Sequence, residues 1–156
     1  MVGTHVPIHD LSPLYRTNET QNLLVNTVPF GSSLASSFST SKSATTPDHS
    51  VVLMANHGFT AVGTNIKQTV FRAVYTHQNA RVQSDALIIR SAHQATSGGP
   101  SIRGGKLRYL NTEQAAGGLS LGEATQERPW ELWARQVETA LLYVNELKGM
   151  DPSTCL

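Results

Sequence analysis

The sequence predicts an α/β domain whose elements follow the order strand, helix, helix, two strands, long helix, strand, helix, helix. A short continuous apolar run at residues 50–55 is typical of a buried strand. The polar break at residues 56–58 and the second strand-like run at residues 59–63 favour a hairpin, which would make the central pair of strands antiparallel. Apolar residues then recur at helical spacing over residues 66–92.

The first quarter of the chain predicts one strand and two helices. Residues 4–8 tolerate an extended backbone, and the proline among them lacks an N–H, so this strand should lie at an edge of the sheet. Thr17 is a suitable cap for a helix with its apolar face at residues 23–25. Pro29 interrupts that pattern, and a second helix is expected through residues 34–38 before a Ser/Thr-rich loop.

The longest predicted helix follows the hairpin. Thr64 or Asn65 can cap its first turn. Its predicted apolar stripe consists of Ile66, Val70, Ala73, Val74, Ala80 and Leu87.

The last third of the chain predicts a Gly-rich surface loop at residues 97–105 and a brief strand at residues 107–110. Residues 111–114 resemble a capping box that starts a helix. Pro129 suits the first turn of a final helix, which the glycine and proline at residues 149–152 would end. The predicted apolar face of this final helix consists of Trp133, Val137, Leu141, Val144 and Leu147.

Composition excludes several classes of protein. The chain has 156 residues, with 12 Lys and Arg against 11 Asp and Glu, so its formal charge of +1 gives no reason to expect binding to nucleic acid or to an anionic membrane. No run approaches the ~20 apolar residues of a membrane span, and the N-terminus lacks the features of a signal peptide. The single cysteine, Cys155, excludes an internal disulfide framework and a Cys-based zinc cluster. We therefore expect a cytoplasmic protein.

The most informative residue for function is His57, which follows the buried apolar strand and precedes Gly58. A neutral imidazole at the end of a rigid strand is a suitable zinc ligand, and the glycine leaves room for a ligand or for an unusual backbone conformation. The alternative is a turn histidine that hydrogen-bonds to the backbone, and the pattern alone favours that alternative.

A family resemblance supports the metal-ligand interpretation. Residues 51–86 (VVLMANHGFTAVGTNIKQTVFRAVYTHQNARVQSDA) resemble the stretch of class II aldolase/adducin proteins in which a strand ends in His-Gly, a second strand ends in Gly and a long helix follows. Residues 3–7, 23–35, 128–133 and 142–145 are similar to uncharacterised fungal-type members. The resemblance extends over nearly the whole chain.

The resemblance implies a layered α/β/α fold with a mostly antiparallel sheet. Residues 1–148 would then form the C-terminal part of the domain, with its first half missing, and residues 149–156 would form a tail. The resemblance also implies a homo-oligomer, commonly a tetramer, or a complementary N-terminal half, either on another chain or encoded upstream of Met1.

The resemblance further implies a zinc site of three histidines, two from an earlier His-x-His pair and the third from the His-Gly turn, which is His57 here. Zinc would act as a Lewis acid that holds a hydroxycarbonyl and stabilises the enediolate formed by carbon–carbon cleavage. The chain contains no His-x-His, and the family's acid/base glutamate and phosphate-binding loops are missing. The implied activity is aldol cleavage of a small sugar or sugar phosphate.

Other histidines are weaker candidates. His5 and His9 would share one face of a strand and could act as ligands with Asp10, although an edge-strand histidine and a turn histidine are the more usual interpretations. His49 is expected at the far end of the strand from His57, too distant to share a metal. The two histidines of the long helix are expected on its surface or against another helix.

Three hypotheses follow for function. The chain is part of a zinc-dependent lyase that needs its missing ligands from elsewhere, and alone it should have no aldolase activity. Alternatively it is a non-catalytic association module, as in the adducins. The third hypothesis is a truncated gene product that self-associates through its uncovered apolar surface.

Overall fold

The computed structural model describes residues 5–41, 43–96, 110–144 and 146. In these residues the chain is a mixed α/β protein, as predicted. Its elements are β1 (Ile8–His9), α1 (Val28–Ser36), β2 (Val51–Met54), β3 (Gly58–Ala61), α2 (Ile66–Thr96), α3 (Thr112–Thr125) and α4 (Glu127–Thr139), with a 3-10 turn at Ser12–Leu14. None of the helices in these ranges is long and apolar enough to cross a membrane.

The sheet has the strand order β1-β2-β3 and mixed direction. β1 pairs parallel with β2, with Ile8 opposite Leu53, and β2 pairs antiparallel with β3, with Val52 opposite Thr60. The expectation of a mostly antiparallel sheet is therefore only partly correct. The parallel pair forms because α1 and its flanking loops provide the long crossover that such a pair needs. The layered α/β/α arrangement stays a prediction.

The core lies between α1 and one face of the sheet. Val52 is fully buried and Met54 nearly so. Alternate residues of a strand share a face, so both point to the same side, where they pack in one cluster with the side chains of α1 and its ends. The cluster consists of Leu11, Phe30, Leu34, Phe38, Val52 and Met54. This packing fixes the position of β2 and therefore of the turn that follows it.

The helix predicted from Thr17 does not form. Asn18 and Leu23 have positive φ angles of 68° and 61°, which a right-handed helix excludes. The Leu23 N–H donates to the Tyr15 hydroxyl at 2.7 Å, so this backbone donor is satisfied without a helical hydrogen bond. The prediction was wrong because capping residues followed by apolar residues do not specify a helix unless that face has a partner to pack against.

Pro29 begins a helix instead of interrupting one. It occupies the first turn of α1, where the missing N–H costs no helical hydrogen bond. The Thr27 side chain caps this turn by accepting from the Phe30 N–H at 3.4 Å.

The hairpin and the long helix are confirmed. α2 packs against β3 and α4 through its first turns, where Phe71 is buried and lies 4.5 Å from Tyr75 and 6.4 Å from Trp133 between ring centroids. The predicted apolar stripe is only partly correct, because Ile66 is 74% exposed and Leu87 is 41% exposed.

The capping box of α3 is confirmed, with Asn111 and Gln114 each accepting from the other's backbone N–H. Pro129 lies in the first turn of α4, as predicted, but the helix ends at Thr139 and not near residue 149. Ala140 adopts an extended conformation. Of the predicted apolar face, Trp133 is half-buried, whereas Val137 is 50% exposed and Leu141 is completely exposed. Of the strand predicted at residues 107–110, only Leu110 is described, and it is not in a strand.

Candidate functional site

The turn between β2 and β3 fixes His57 at the end of the buried strand. The His57 N–H donates to the Met54 carbonyl at 3.1 Å, and Asn56 takes the left-handed conformation with φ 57°. Asparagine tolerates this region better than most residues. Gly58 follows with φ 147°, a conformation that side chains rarely permit. The sequence Asn-His-Gly therefore forms this tight turn for a steric reason.

A second backbone contact ties the turn to β1. The Ala55 N–H donates to the His9 carbonyl at 2.9 Å, which extends the parallel pairing past the end of β2. Because β1 and β2 are parallel, their carboxyl ends lie at the same edge of the sheet. The turn that carries His57 is thus held by both neighbouring strands.

His57 borders an open depression with a volume of about 510 Å³. The depression is lined by Ile8, Leu53, Met54, Ala55, Asn56, His57 and Gly58. The His57 side chain is exposed, and its imidazole makes no hydrogen bond to any residue in the part of the chain that the structure describes. The ring is therefore available to a ligand there, and the backbone-bonded histidine of the alternative interpretation is not observed among these residues.

Asp10 has a local structural contact. Its carboxylate accepts from the Ser12 N–H at 2.9 Å, and this backbone hydrogen bond, followed by that of the Ser12 side chain, holds the pKa of Asp10 below its ordinary value. The carboxylate thereby bonds to the backbone two residues further along the chain, at the start of the short 3-10 turn after β1.

His9 is buried in the core, at 7% exposure. Its Nδ1 lies 2.9 Å from the Ser37 Oγ, and its Nε2 is buried without a partner among the described residues. His9 and the exposed His5 therefore differ in environment, although their spacing had suggested one shared face.

The remaining histidines lie away from the turn. His49 precedes β2, at the opposite end of that strand from His57, and its ring centroid lies 6.3 Å from that of His5. His77 and His93 are exposed on α2. Within residues 5–41, 43–96, 110–144 and 146, no group of three His, Cys, Asp or Glu side chains could hold a metal ion. These residues alone do not fit a complete zinc centre, and the role of His57 as a metal ligand stays a prediction.

Sequence reasoning did not find a cleft between the first turns of α2 and α4, which has a volume of about 710 Å³. It is lined by Asn65, Ile66, Lys67, Gln126, Glu127 and Trp130. Lys67 and Glu127 form an ion pair there although they are far apart in sequence, so no local signal could have indicated the cleft.

The first turns of α2 are also fixed to β3 by Arg72. Its guanidinium donates to the Val62 carbonyl at 2.7 Å and lies 3.8 Å from the Glu123 carboxylate. Burial lowers the pKa of Arg72, and the charge of Glu123 opposes that shift. The contact joins α2, α3 and the end of the hairpin.

Comparison with known proteins identifies the family to which the segment that carries this turn belongs. Residues 2–84, from before β1 to the middle of α2, match the Class II Aldolase and Adducin N-terminal domain. The chain belongs to the class II aldolase/adducin family. The resemblance read from residues 51–86 is therefore confirmed, and His57 lies inside the matched region.

A relative in this family is the decarboxylase tropJ of Talaromyces stipitatus, which is 37% identical to this chain over 144 residues. The match covers 92% of this chain and 53% of the relative, so the chain spans about half the length of this class II aldolase/adducin protein. No solved structure matches the chain.

Proposed function

We propose that this chain contributes one imidazole, that of His57, to the metal site of a carbon–carbon lyase. The observation that carries the proposal is the exposed ring of His57, presented by a rigid turn beside an open depression in a class II aldolase/adducin domain. The chain's own described residues supply one ligand of this type, so the proposal assigns the remaining ligands to residues outside these described ranges, whether in the same polypeptide or in another.

Two reactions of this class fit the family. Aldol cleavage of a small sugar or sugar phosphate and decarboxylation of a carbonyl compound both break a carbon–carbon bond at the carbon next to a carbonyl group. The electron pair left on that carbon is delocalised onto the carbonyl oxygen as an enolate. The name of the Talaromyces relative supports decarboxylation, and the family's name supports aldol cleavage. The proposal is therefore a lyase, with a carboxylated substrate favoured by the relative and a sugar as the second candidate.

The sharpest test is a chimaera in which this chain replaces the matched half of the Talaromyces decarboxylase. We expect the chimaera to retain metal and decarboxylate the relative's own substrate, with carbon dioxide release as the measurement. His57→Ala in the chimaera should reduce turnover by more than about 100-fold and lower the bound metal, because a ligand is removed. His93→Ala, an exposed histidine of α2, is the matched control and should change neither value.

A folded, metal-loaded chimaera that turns over equally well with His57→Ala would contradict the assignment of His57. Sugar cleavage without carbon dioxide release by the same chimaera would favour the aldolase reaction over decarboxylation.

We expect the 1–156 polypeptide alone to lack lyase activity, because a catalytic zinc site uses three protein ligands and the described residues bring no three together. Purified protein with added zinc should leave sugar phosphates and carboxylated hydroxycarbonyl compounds unchanged, and nuclear magnetic resonance of the reaction mixture is the measurement. Zinc-dependent turnover that His57→Ala abolishes and His93→Ala preserves would contradict this expectation.

A non-catalytic association module is the second candidate. It is favoured by the second half of α2, where residues 77–89 are exposed and three large apolar side chains, Val82, Ile88 and Ile89, are 65–68% exposed. The test is metal content after dialysis together with molar mass from light scattering. Stoichiometric zinc would count against this candidate, whereas a metal-free, defined oligomer would support it.

A further inference from the structure

We propose that His5 and His49 form a second metal site, which takes one divalent transition-metal ion of the Cu²⁺, Ni²⁺ and Zn²⁺ group. The His5 side chain is exposed and that of His49 is half-buried, and their ring centroids lie 6.3 Å apart with the ring planes at 72°. Neutral imidazole is a good ligand for these three ions. The site is independent of the lyase proposal, because it uses neither His57 nor the depression beside it.

The separation of the two rings suits a shared ion. With a metal–nitrogen bond of about 2.1 Å, an imidazole centroid lies about 3.2 Å from the metal, so two rings on one ion have centroids between about 4.5 Å apart at a right angle and about 6.4 Å apart when linear. The observed 6.3 Å lies inside that range, at its wide end. A closure of about 1 Å would bring the pair to a tetrahedral angle.

The backbone holds both histidines at one edge of the sheet. His5 precedes β1 and His49 precedes β2, and the amino ends of parallel strands lie side by side. The Leu53 N–H donates to the Pro7 carbonyl at 2.9 Å, and the His49 N–H donates to the Phe38 carbonyl at 3.0 Å. These contacts fix the two segments from which the rings project.

Residue 48 adds a further anchor beside His49. The Asp48 Oδ2 accepts from the Thr40 N–H at 2.7 Å and from the Thr40 hydroxyl at 2.6 Å. This contact occupies one carboxylate oxygen of Asp48. The proposal assigns the two imidazoles as ligands, with water in the remaining positions of the ion. Such a site should bind Cu²⁺ more tightly than Ni²⁺ or Zn²⁺, as the general order of affinities requires.

The site lies well away from His57. The two positions are at opposite ends of β2, whose four residues span about 13 Å. An ion between His5 and His49 would close a long loop that contains α1, and binding to the folded state alone would stabilise it. The bound ion would therefore join the two segments that lead into β1 and β2.

The experiment is a titration of the 1–156 chain with Cu²⁺ at neutral pH, followed by calorimetry and by pulsed electron paramagnetic resonance. We expect one site with two coordinated imidazole nitrogens. His5→Ala and His49→Ala should each weaken binding at least tenfold and reduce the signal to one imidazole. His57→Ala and His93→Ala are the controls and should leave the affinity and the spectrum unchanged.

Wild-type affinity in His5→Ala or in His49→Ala would overturn the proposal, as would a wild-type spectrum with a single imidazole. The proposal would also be overturned if His57→Ala abolished copper binding while His5→Ala and His49→Ala preserved it. That result would instead place the ion at His57. His49→Gln provides a second variant that keeps a polar side chain, and it should lose binding to the same extent as His49→Ala.

Discussion

Three residues of the β2–β3 turn act through different physical properties. Asn56 and Gly58 allow the backbone to turn, because they tolerate φ angles of 57° and 147° that are costly for most other residues. His57 carries the imidazole, and its own N–H closes the turn on Met54. The candidate site therefore depends on backbone conformation at its neighbours as much as on the ligand itself.

We expect Gly58→Ala to destabilise the fold by about 1–3 kcal/mol, because an alanine must adopt the strained φ of 147°. No atom lies within 4 Å of the added Cβ, so the cost comes from the backbone and not from a clash. Urea denaturation measures the free energy of unfolding.

Gly31→Ala is the matched control for Gly58→Ala. Gly31 lies inside α1 with open space around its Cβ position, and this substitution should stabilise the protein by about 0.5–1 kcal/mol. Equal effects of the two substitutions would contradict the assignment of strain to Gly58.

His9 shows what sequence spacing alone cannot give about a residue. Its position four residues after His5 suggested a shared face, yet it is buried against Ser37 while His5 is exposed. Burial depends on the packing of α1 over the end of β1, which brings residues 9 and 37 together across 28 positions of sequence. A pattern within a short stretch of sequence therefore cannot predict this contact.

At the scale of elements, α2 has two differently packed halves. Its first turns bury Gln68 and Phe71 and contact β3 and α4, whereas residues 77–89 are exposed. The hydrophobic pattern predicted a helix of nearly the correct length, because helical periodicity is a local property. It did not predict which stretch is covered, because that depends on where the other elements end.

We expect Phe71→Ala to destabilise the protein by about 3–5 kcal/mol, because it removes a buried ring that contacts Tyr75 and Trp133. Ile88→Ala is the matched substitution in the exposed half and should cost less than about 0.5 kcal/mol. Thermal or urea unfolding of both variants checks the pair. A large cost for Ile88→Ala would indicate that this face is buried by association in solution.

The sequence predicted two helices before β2, and only the second of them forms. Thr17 and Thr27 both offer a cap, but only Thr27 precedes a segment whose Phe30 and Leu34 pack on the sheet. Tertiary burial, not capping, therefore decided which segment became helical.

At the scale of the whole molecule, two exposed carboxylates link stability to pH. Hydrogen bonds from the Thr40 side chain and backbone hold the pKa of Asp48 below its ordinary value of 3.8, and the Ser12 backbone has the corresponding effect on Asp10. The folded state thus binds these protons more weakly than the unfolded state. The stabilisation is present above the unfolded pKa and is lost as the pH falls through the folded value.

We expect the melting temperature of the wild-type protein to fall as the pH decreases from about 5 to about 2, and Asp48→Asn to reduce that fall, because the variant has no carboxylate to protonate. Glu131→Gln, on the exposed side of α4, is the carboxylate control. Thermal unfolding across this pH range is the measurement. A parallel pH dependence in wild type and Asp48→Asn would contradict the role assigned to the Thr40 contact.

The sequence by itself determined the α/β class, the hairpin with His57 at its bend, the long helix after it and the membership of the class II aldolase/adducin family. These features depend on local periodicity, on turn-forming residues and on a contiguous motif, and each of these is a property of residues that are close together in sequence. Only the tertiary structure decided the parallel pairing of β1 with β2, the burial of His9, the approach of His5 to His49 and the exposure of the second half of α2. Each of these depends on contacts between segments distant in sequence, whose free energy no single stretch of the chain specifies.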